Sequence, residues 1–349
     1  MINVADYLAA AADRVDPSVW CYFEGGSGDE VTLRANVAAY GRWIFRPRML
    51  VDVAEISLAT TLLGTPVSLP LGVAPFAMQG LLLPKGECAT ARAAAAAGAL
   101  MCVSTLTTST HAEIADASAG PRWLQLYVLR DRGRTVDHIA EAREAGYSAV
   151  VVTVDLPYLG RRERDLRLGF ANPPPALDLP YANLFETTPS LTWRDLEWIR
   201  TESRVPLVVK GILTSEDALL AVEHGADAVW VSNHGGRQLD GVAAGLDALP
   251  EVADAVGGRC EVYVDGGVRR GGDVAKALAL GARAAFAARP FAAGLAVDGE
   301  QGVTHVLELL RAELELTLGL LGCTAPDRVT RSHVAPTVPY DPAPVRGQV

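Results

Sequence analysis

The chain has 349 residues, half of them hydrophobic, and 31 Lys and Arg against 41 Asp and Glu give a formal charge of -10. With no basic block the electrostatic footprint of a nucleic-acid binder is missing, and no apolar run approaches the roughly 18 residues of a membrane span. Five scattered cysteines, Cys21, Cys88, Cys102, Cys260 and Cys323, form no CxxC pair and have no histidine at ligand spacing, which argues against a disulfide framework or a metal site.

No basic leader precedes the opening MINVADYLAA, and the closing RGQV carries no peroxisomal or lipidation signal. A soluble, cytoplasmic protein with reduced thiols is therefore expected. From Leu69 to residue 322, short apolar runs alternate with Ala-rich amphipathic stretches, the pattern of parallel strands joined by helices. Residues 1–68 lie outside that pattern and read as an N-terminal extension folded over it.

Eight strands are predicted: LPLGVAPF from Leu69, LMCVST from Leu100, RWLQLYV from Arg122, SAVVVTVD from Ser148, PLVVKG from Pro206, AVWVSN from Ala228, EVYVDGG from Glu261 and AAFAARP from Ala284. Most are continuously apolar, as strands buried on both faces must be. Between them lie helical stretches such as TSEDALLAVEHG, which opens with Thr214 and Asp217 at capping-box spacing. Eight such units over about 250 residues predict a closed (β/α)8 TIM barrel within a single domain, with a tail from residue 323. An open doubly wound sheet is the minor alternative, because no GxGxxG follows a strand. The Pro- and charge-rich stretch from Leu156 to Leu191 is too long for an ordinary barrel loop and reads as a lid or a disordered segment.

Barrel active sites lie at the C-terminal strand ends. There the sequence places Gln125 and Tyr127, Thr153 and Asp155, Lys210, then Ser232, Asn233 and His234, and Asp265. Arg161 and Arg162, Arg237, Arg269 and Arg270, and Arg289 come just after strand ends, so an acidic protein gathers cations at one mouth. An anionic ligand is implied. The turn DGGVRRGGD with Arg289 reads as a phosphate site. Of six histidines, His111, His138, His224, His305 and His333 fall in helical or terminal patterns. His234 ends an interior strand beside Gly235 and Gly236, with a pKa suited to a general base and Asp155 as its natural carboxylate partner. Arg237 could clamp a carboxylate with its planar fork; Lys210 and Arg237 could equally join structural ion pairs.

The motifs YFEGGSGDEVTL from Tyr22, RPRML from Arg46, APFAM from Ala74, QLYV from Gln125, TVDLPYLGRRERD from Thr153, VVKGI from Val208, SNHGGRQLD from Ser232, DGGVRRGGDVAKALALGA from Asp265 and RSHV from Arg331 together resemble the FMN-dependent 2-hydroxy acid oxidases and dehydrogenases. The resemblance covers nearly the whole chain. It implies FMN as cofactor, with Ala77, Ser104, Gln125 and Thr153 at the flavin ring, Lys210 beside its N1 edge, Asp265 on the ribityl chain, and Gly267, Arg269 and Arg289 on the phosphate. Ser232 and Ala288 complete that set. It implies a substrate carboxylate held by Arg237 and Tyr22, with Arg162 near the entrance. Tyr127 would bond the substrate hydroxyl, and His234 would take a proton with Asp155 supporting the imidazolium.

The implied reaction takes an L-2-hydroxy acid to the 2-oxo acid, with dioxygen yielding hydrogen peroxide or with a quinone or cytochrome as acceptor. A homotetramer is also implied. The sequence departs from the family at Leu106, where glycolate oxidase has a bulky aromatic, at Phe76 for Thr, at Ala288 for Gly, and in a shorter stretch between Gly169 and Trp193. A wider substrate pocket is expected. An isopentenyl diphosphate isomerase of the FMN-barrel type, or a non-catalytic barrel binding a phosphorylated ligand, is the remote alternative.

Overall fold

The eight apolar runs each form a strand: β1 (Leu71–Val73), β2 (Met101–Val103), β3 (Arg122–Leu126), β4 (Val150–Thr153), β5 (Leu207–Ile212), β6 (Ala228–Val231), β7 (Glu261–Asp265) and β8 (Ala284–Ala287). The computed structural model describes residues 1–337 apart from 172–173, 175–176 and 182–185. All eight strands are parallel and close into a barrel, with β8 pairing back to β1. The strands are shorter than the apolar runs because the ladder stops where polar side chains turn into the mouth. Those strand-end residues carry the site.

The barrel interior is packed with Trp123, Trp230, Tyr263 and Phe286, all fully buried, the Trp230 and Phe286 rings lying 4.0 Å apart. Each such side chain is worth about 1.5–3 kcal/mol when taken from water. Leu62 and Val67 join the same cluster. They come from a hairpin, Thr60–Leu62 with Thr65–Val67, that sits against the N-terminal ends of the strands, where the Leu63 N–H donates to Glu261 at the start of β7. The extension thus adds a plug for the barrel floor to its helices.

Those helices are α1 (Val4–Arg14), α2 (Pro17–Glu24) and α3 (Val31–Gly41). Asn3 caps α1 by accepting from the Asp6 N–H, and Asp16 caps α2 by accepting from the Ser18 N–H, ahead of Pro17 at the first helical position. Helix α1 packs on the long C-terminal helix Arg289–Leu321. A short strand, Trp43–Phe45, pairs antiparallel with Val334–Pro336 and ties the extension to the tail. Helix α2 ends at Gly25 with Tyr22 and Phe23 turned into the barrel mouth.

The long segment after β4 is anchored beside β3: Thr187 bridges to Leu129, the Thr188 N–H donates to Val128 and Arg134 donates to the Tyr181 carbonyl. Thr214 caps its helix by accepting from the Asp217 N–H. Four cysteines are buried, Cys260 is half-buried and all five are free thiols. Among the described residues no helix is long and apolar enough to cross a membrane.

Candidate active site

The strand ends enclose a cleft of about 1030 Å³ counted out to its solvent mouth, which is nucleotide-sized. Of the residues singled out from the sequence, Tyr22, Ala77, Ser104, Leu106, Gln125, Tyr127, Thr153, Arg162, Lys210, His234, Arg237, Asp265, Gly267, Arg269, Ala288 and Arg289 all line it. Asp155 and Ser232 stand one layer behind. Two of the arginines expected at the mouth go elsewhere. Arg270 points outward to Glu313 at 2.7 Å, because successive residues at a helix start face different directions, and Arg161 is exposed.

One wall is a polar ladder across neighbouring strands. The Gln125 amide donates to Thr153 Oγ1 at 3.0 Å and accepts from Ser104 Oγ at 3.2 Å. Next along the barrel, Lys210 Nζ donates to Ser232 Oγ at 2.9 Å and pairs with Asp265 at 3.3 Å. Ser232 Oγ in turn donates to Asp265 at 2.7 Å and accepts the His234 N–H at 3.0 Å. Burial works against the charge on Lys210, but Asp265 and Asp155 outweigh it and hold the ammonium above its ordinary pKa. It is a fixed cation in the cleft wall.

His234 has a left-handed backbone, φ 58°, uncommon for a residue with a side chain. The hydrogen bond from its N–H to Ser232 holds that turn. Its Nδ1 lies 2.9 Å from Asp155 Oδ1, and its Nε2 lies 3.3 Å from the Tyr127 hydroxyl. A proton on Nδ1 directed to the carboxylate leaves the Nε2 lone pair facing the cleft. Burial is the main influence on the ring and lowers its pKa, while Asp155 opposes this and Lys210 and Arg162 add to it. Burial pushes Asp155 up, yet His234 and Lys210 prevail and keep it below the usual carboxylate range. The pair is thus a neutral imidazole beside an ionised carboxylate.

The arginines of the mouth, Arg162 buried and Arg237, Arg269 and Arg289 half-buried, lack carboxylate partners. Among the described residues Arg162, Arg237, Arg269 and Arg289 have no ion pair. Burial lowers Arg289 to about 9, with Arg237 and Arg269 adding repulsion, and lowers Arg162 to about 10, with Arg237 adding to it. Arg289 donates to the carbonyls of Phe23, Glu24, Gly25 and Gly235. Arg237 donates to the carbonyls of Tyr22 and Gly25 and lies 4.6 Å from the centre of the Tyr22 ring. Partly desolvated charge of one sign favours anions. The cleft therefore gathers arginines without ion pairs in two places, Arg269 and Arg289 beside the Gly-rich turn and Arg162 and Arg237 beside His234.

At the first place Gly267 has φ 86°, and a Cβ there would run into the carbonyl oxygen of Asn36. Backbone from α3 therefore closes directly over the turn. The residues fit flavin mononucleotide: a polar wall for the ring's heteroatoms, Lys210 at one edge, and a glycine cradle with two half-buried arginines for the phosphate. Gln125, Thr153, Ser104, Lys210, Asp265, Arg269 and Arg289 are the residues that would hold it.

A closed β/α barrel with an anion cradle, a cationic edge and a paired base facing one cleft defines a flavin-dependent oxidoreductase. Residues 11–336 match the family model for FMN-dependent dehydrogenases. The chain is 48% identical to an L-lactate oxidase of Nostoc sp., covering 93% of this chain and 95% of that one. It is 44% identical to glycolate oxidase of Spinacia oleracea over 95% of each. Among solved structures, a mandelate oxidase with benzoyl-formic acid superposes with TM-score 0.90 at 42% identity, covering 97% and 99%. A soluble variant of the membrane-associated (S)-mandelate dehydrogenase of Pseudomonas putida gives 0.92 at 37%, covering 97% and 100%. This chain belongs to the FMN-dependent dehydrogenase family and is an FMN-dependent oxidoreductase.

Sequence reasoning missed Phe23 and Leu156, which line the cleft, and Phe170, whose ring stacks on Tyr22 at 5.2 Å. It also missed Gln238, although Gln238 lies in the same motif as His234. A single apolar or amide side chain carries no signal until the chain folds back on it.

Proposed function

We propose that the protein oxidises an L-2-hydroxy acid of more than glycolate size to its 2-oxo acid, passing the electrons on to dioxygen. The class of reaction, FMN-dependent oxidation of a 2-hydroxy acid, is that of its lactate and glycolate oxidase relatives. The observation that carries the reading is one shared cleft face: His234 Nε2, the Tyr127 hydroxyl and the unpaired Arg162 and Arg237.

Arg237, with the Tyr22 hydroxyl, binds the substrate carboxylate, and Arg162 adds a second positive charge. Tyr127 bonds the substrate hydroxyl; burial raises its own pKa, so it stays a phenol and donates. His234 Nε2 takes a proton from the substrate, and Asp155 stabilises the imidazolium. FMN, when bound, would take up the two electrons and the second hydrogen that the substrate loses. Leu106, which packs with Tyr127 and Leu156 and against Ala77 and Leu179, leaves an apolar lobe for the substrate side chain. Lactate or a mandelate-like acid suits it better than glycolate. The assembly proposed is a homotetramer, and the compartment the cytoplasm.

Anaerobic mixing with glycolate, L-lactate and L-mandelate tests the reading through bleaching of the visible flavin band. The two larger acids should bleach faster, and air should restore the colour rapidly. Colour restored by a quinone but not by air would make the protein a dehydrogenase, and no bleaching by any acid would sink the proposal.

A further inference from the structure

Asp155 faces His234 with one carboxylate oxygen; the other, Oδ2, is buried and has no hydrogen-bond partner among the described residues. A carboxylate with a single tether is free to swing about it, so its aim depends on the backbone that carries it. That backbone is gripped from two sides. On one, Gly211 in β5 has φ 113°, and a Cβ there would lie 2.8 Å from Asp155 Cβ, so glycine makes room for the aspartate. On the other stands Gln238.

The Gln238 side chain is buried, 7% exposed, and directs three hydrogen bonds to one loop. Its Nε2 donates to the Asp155 carbonyl at 2.9 Å and the Tyr158 carbonyl at 2.8 Å, and its Oε1 accepts the Gly160 N–H at 3.2 Å. A Cβ at Gly160 would run into the Arg237 carbonyl, so loop and motif are in direct contact. Ser27 in the N-terminal extension donates to the Gln238 carbonyl and holds the amide's own backbone. Gln238 is absent from the cleft lining, and its side-chain hydrogen bonds go to the backbone of residues 155, 158 and 160 rather than to His234.

We infer that Gln238 is a positioning residue for the reaction: it fixes the loop that aims the Asp155 carboxylate at His234 Nδ1. The inference rests on the proposed role of His234 as base. A misplacement of about 1 Å in such a constellation costs on the order of a hundredfold in rate, which sets the upper end of the expected effect.

The test is Gln238→Met, which keeps the length of the side chain and removes both donors and the acceptor. Flavin content and the half-saturating substrate concentration should stay within about threefold of the parent. The plateau rate of anaerobic bleaching should fall about ten- to a hundredfold. The acid limb of its pH profile carries the discriminating sign. His234 is faced by Asp155 from the loop after β4, Lys210 from β5, Arg162 from that same loop and Tyr127 from the end of β3, with Arg237 on its own segment. Asp155 is the group that favours its charged form; misaiming it lets burial, Lys210 and Arg162 dominate, and the limb moves to lower pH. Loosening that merely admits water does the opposite, moving the limb up toward the ordinary histidine value of about 6.5.

An unchanged plateau, or a limb that moves up, overturns the inference. Asp155→Asn is the companion variant: if it bleaches at the parental rate, the His234–Asp155 reading itself fails, and the inference falls with it. If Asp155→Asn is slow while Gln238→Met is normal, the inference alone fails. Should Gln238→Met not fold with flavin, Gln238→Glu retains the length and the acceptor for Gly160 while losing the donors. Its plateau should drop likewise, and a parental plateau there overturns the inference.

Discussion

His111 and His138 lie on separate helices outside the barrel, both essentially inaccessible, with rings 5.0 Å apart and nearly parallel. The Tyr181 ring stacks on both, at 4.3 and 4.5 Å, and its hydroxyl accepts the His111 backbone N–H. All four ring nitrogens lack partners among the described residues. Burial pushes His111 down to about 2, with His138 adding repulsion, and burial alone pushes His138 down to about 3. The folded state therefore keeps both rings neutral while the unfolded chain protonates them below about pH 6.5. Their contribution to stability is present in full above about pH 6.5 and is lost as pH falls through that value toward about 3. Each histidine contributes about 1.4 kcal/mol per pH unit, so the pair costs roughly 5 kcal/mol between about pH 6.5 and 4.5. That is comparable to the whole margin of a small domain. With an unfolding entropy near 2 cal/mol/K per residue over this chain, the midpoint should fall by about 7 °C. The assay is the thermal midpoint followed by circular dichroism from about pH 7.5 to 4.5, in the parent and in a variant combining His111→Phe with His138→Phe. The phenylalanines keep the stack and remove the titration, so the variant's midpoint should fall less by about that amount. Equal slopes in the two proteins would refute the argument, since His234 and every other acid-sensitive group are common to both.

Three further outcomes concern the site. His234→Ala should retain bound flavin and slow bleaching by at least about a hundredfold, the usual span of a general base; burial holds the ring below its ordinary pKa, so the parental rate should fall off on the acid side only below about pH 6.5. Arg237→Met should raise the half-saturating substrate concentration by roughly ten- to a hundredfold, the worth of a charge-assisted hydrogen bond, with flavin content unchanged. Gly267→Ala places a methyl against the Asn36 carbonyl at a positive φ, and the protein should lose its yellow colour on gel filtration in phosphate-free buffer. Full retention there would remove the turn from the cofactor site.

The barrel was legible because strands buried on both faces must be nearly continuous apolar runs, and all eight runs became strands. The site was legible because polar residues such as Gln125, Lys210 and His234 interrupt those runs at their ends. What stayed hidden depends on contacts between distant segments. The hairpin at residues 60–67 is as apolar as any loop-flanking stretch, and its place in the barrel floor comes from Trp123 and Phe286. Arg269 and Arg270 are indistinguishable in sequence, and only the start of the helix Gly271–Ala279 sends one inward and the other to Glu313. The stack of His111 on His138 joins two separate helices, and nothing in either helix announces it.

The strand Trp43–Phe45 has no partner until Val334–Pro336 exists, and Tyr22, Leu62 and Val67 hang from the same segment. On the ribosome, the earlier-made stretch must wait while the whole barrel emerges between the two strands. Contacts so far apart in sequence slow folding. A nascent chain that has not reached Val334 thus holds its extension through contacts such as those with the helix Arg289–Leu321 and Arg237, with one strand edge still open.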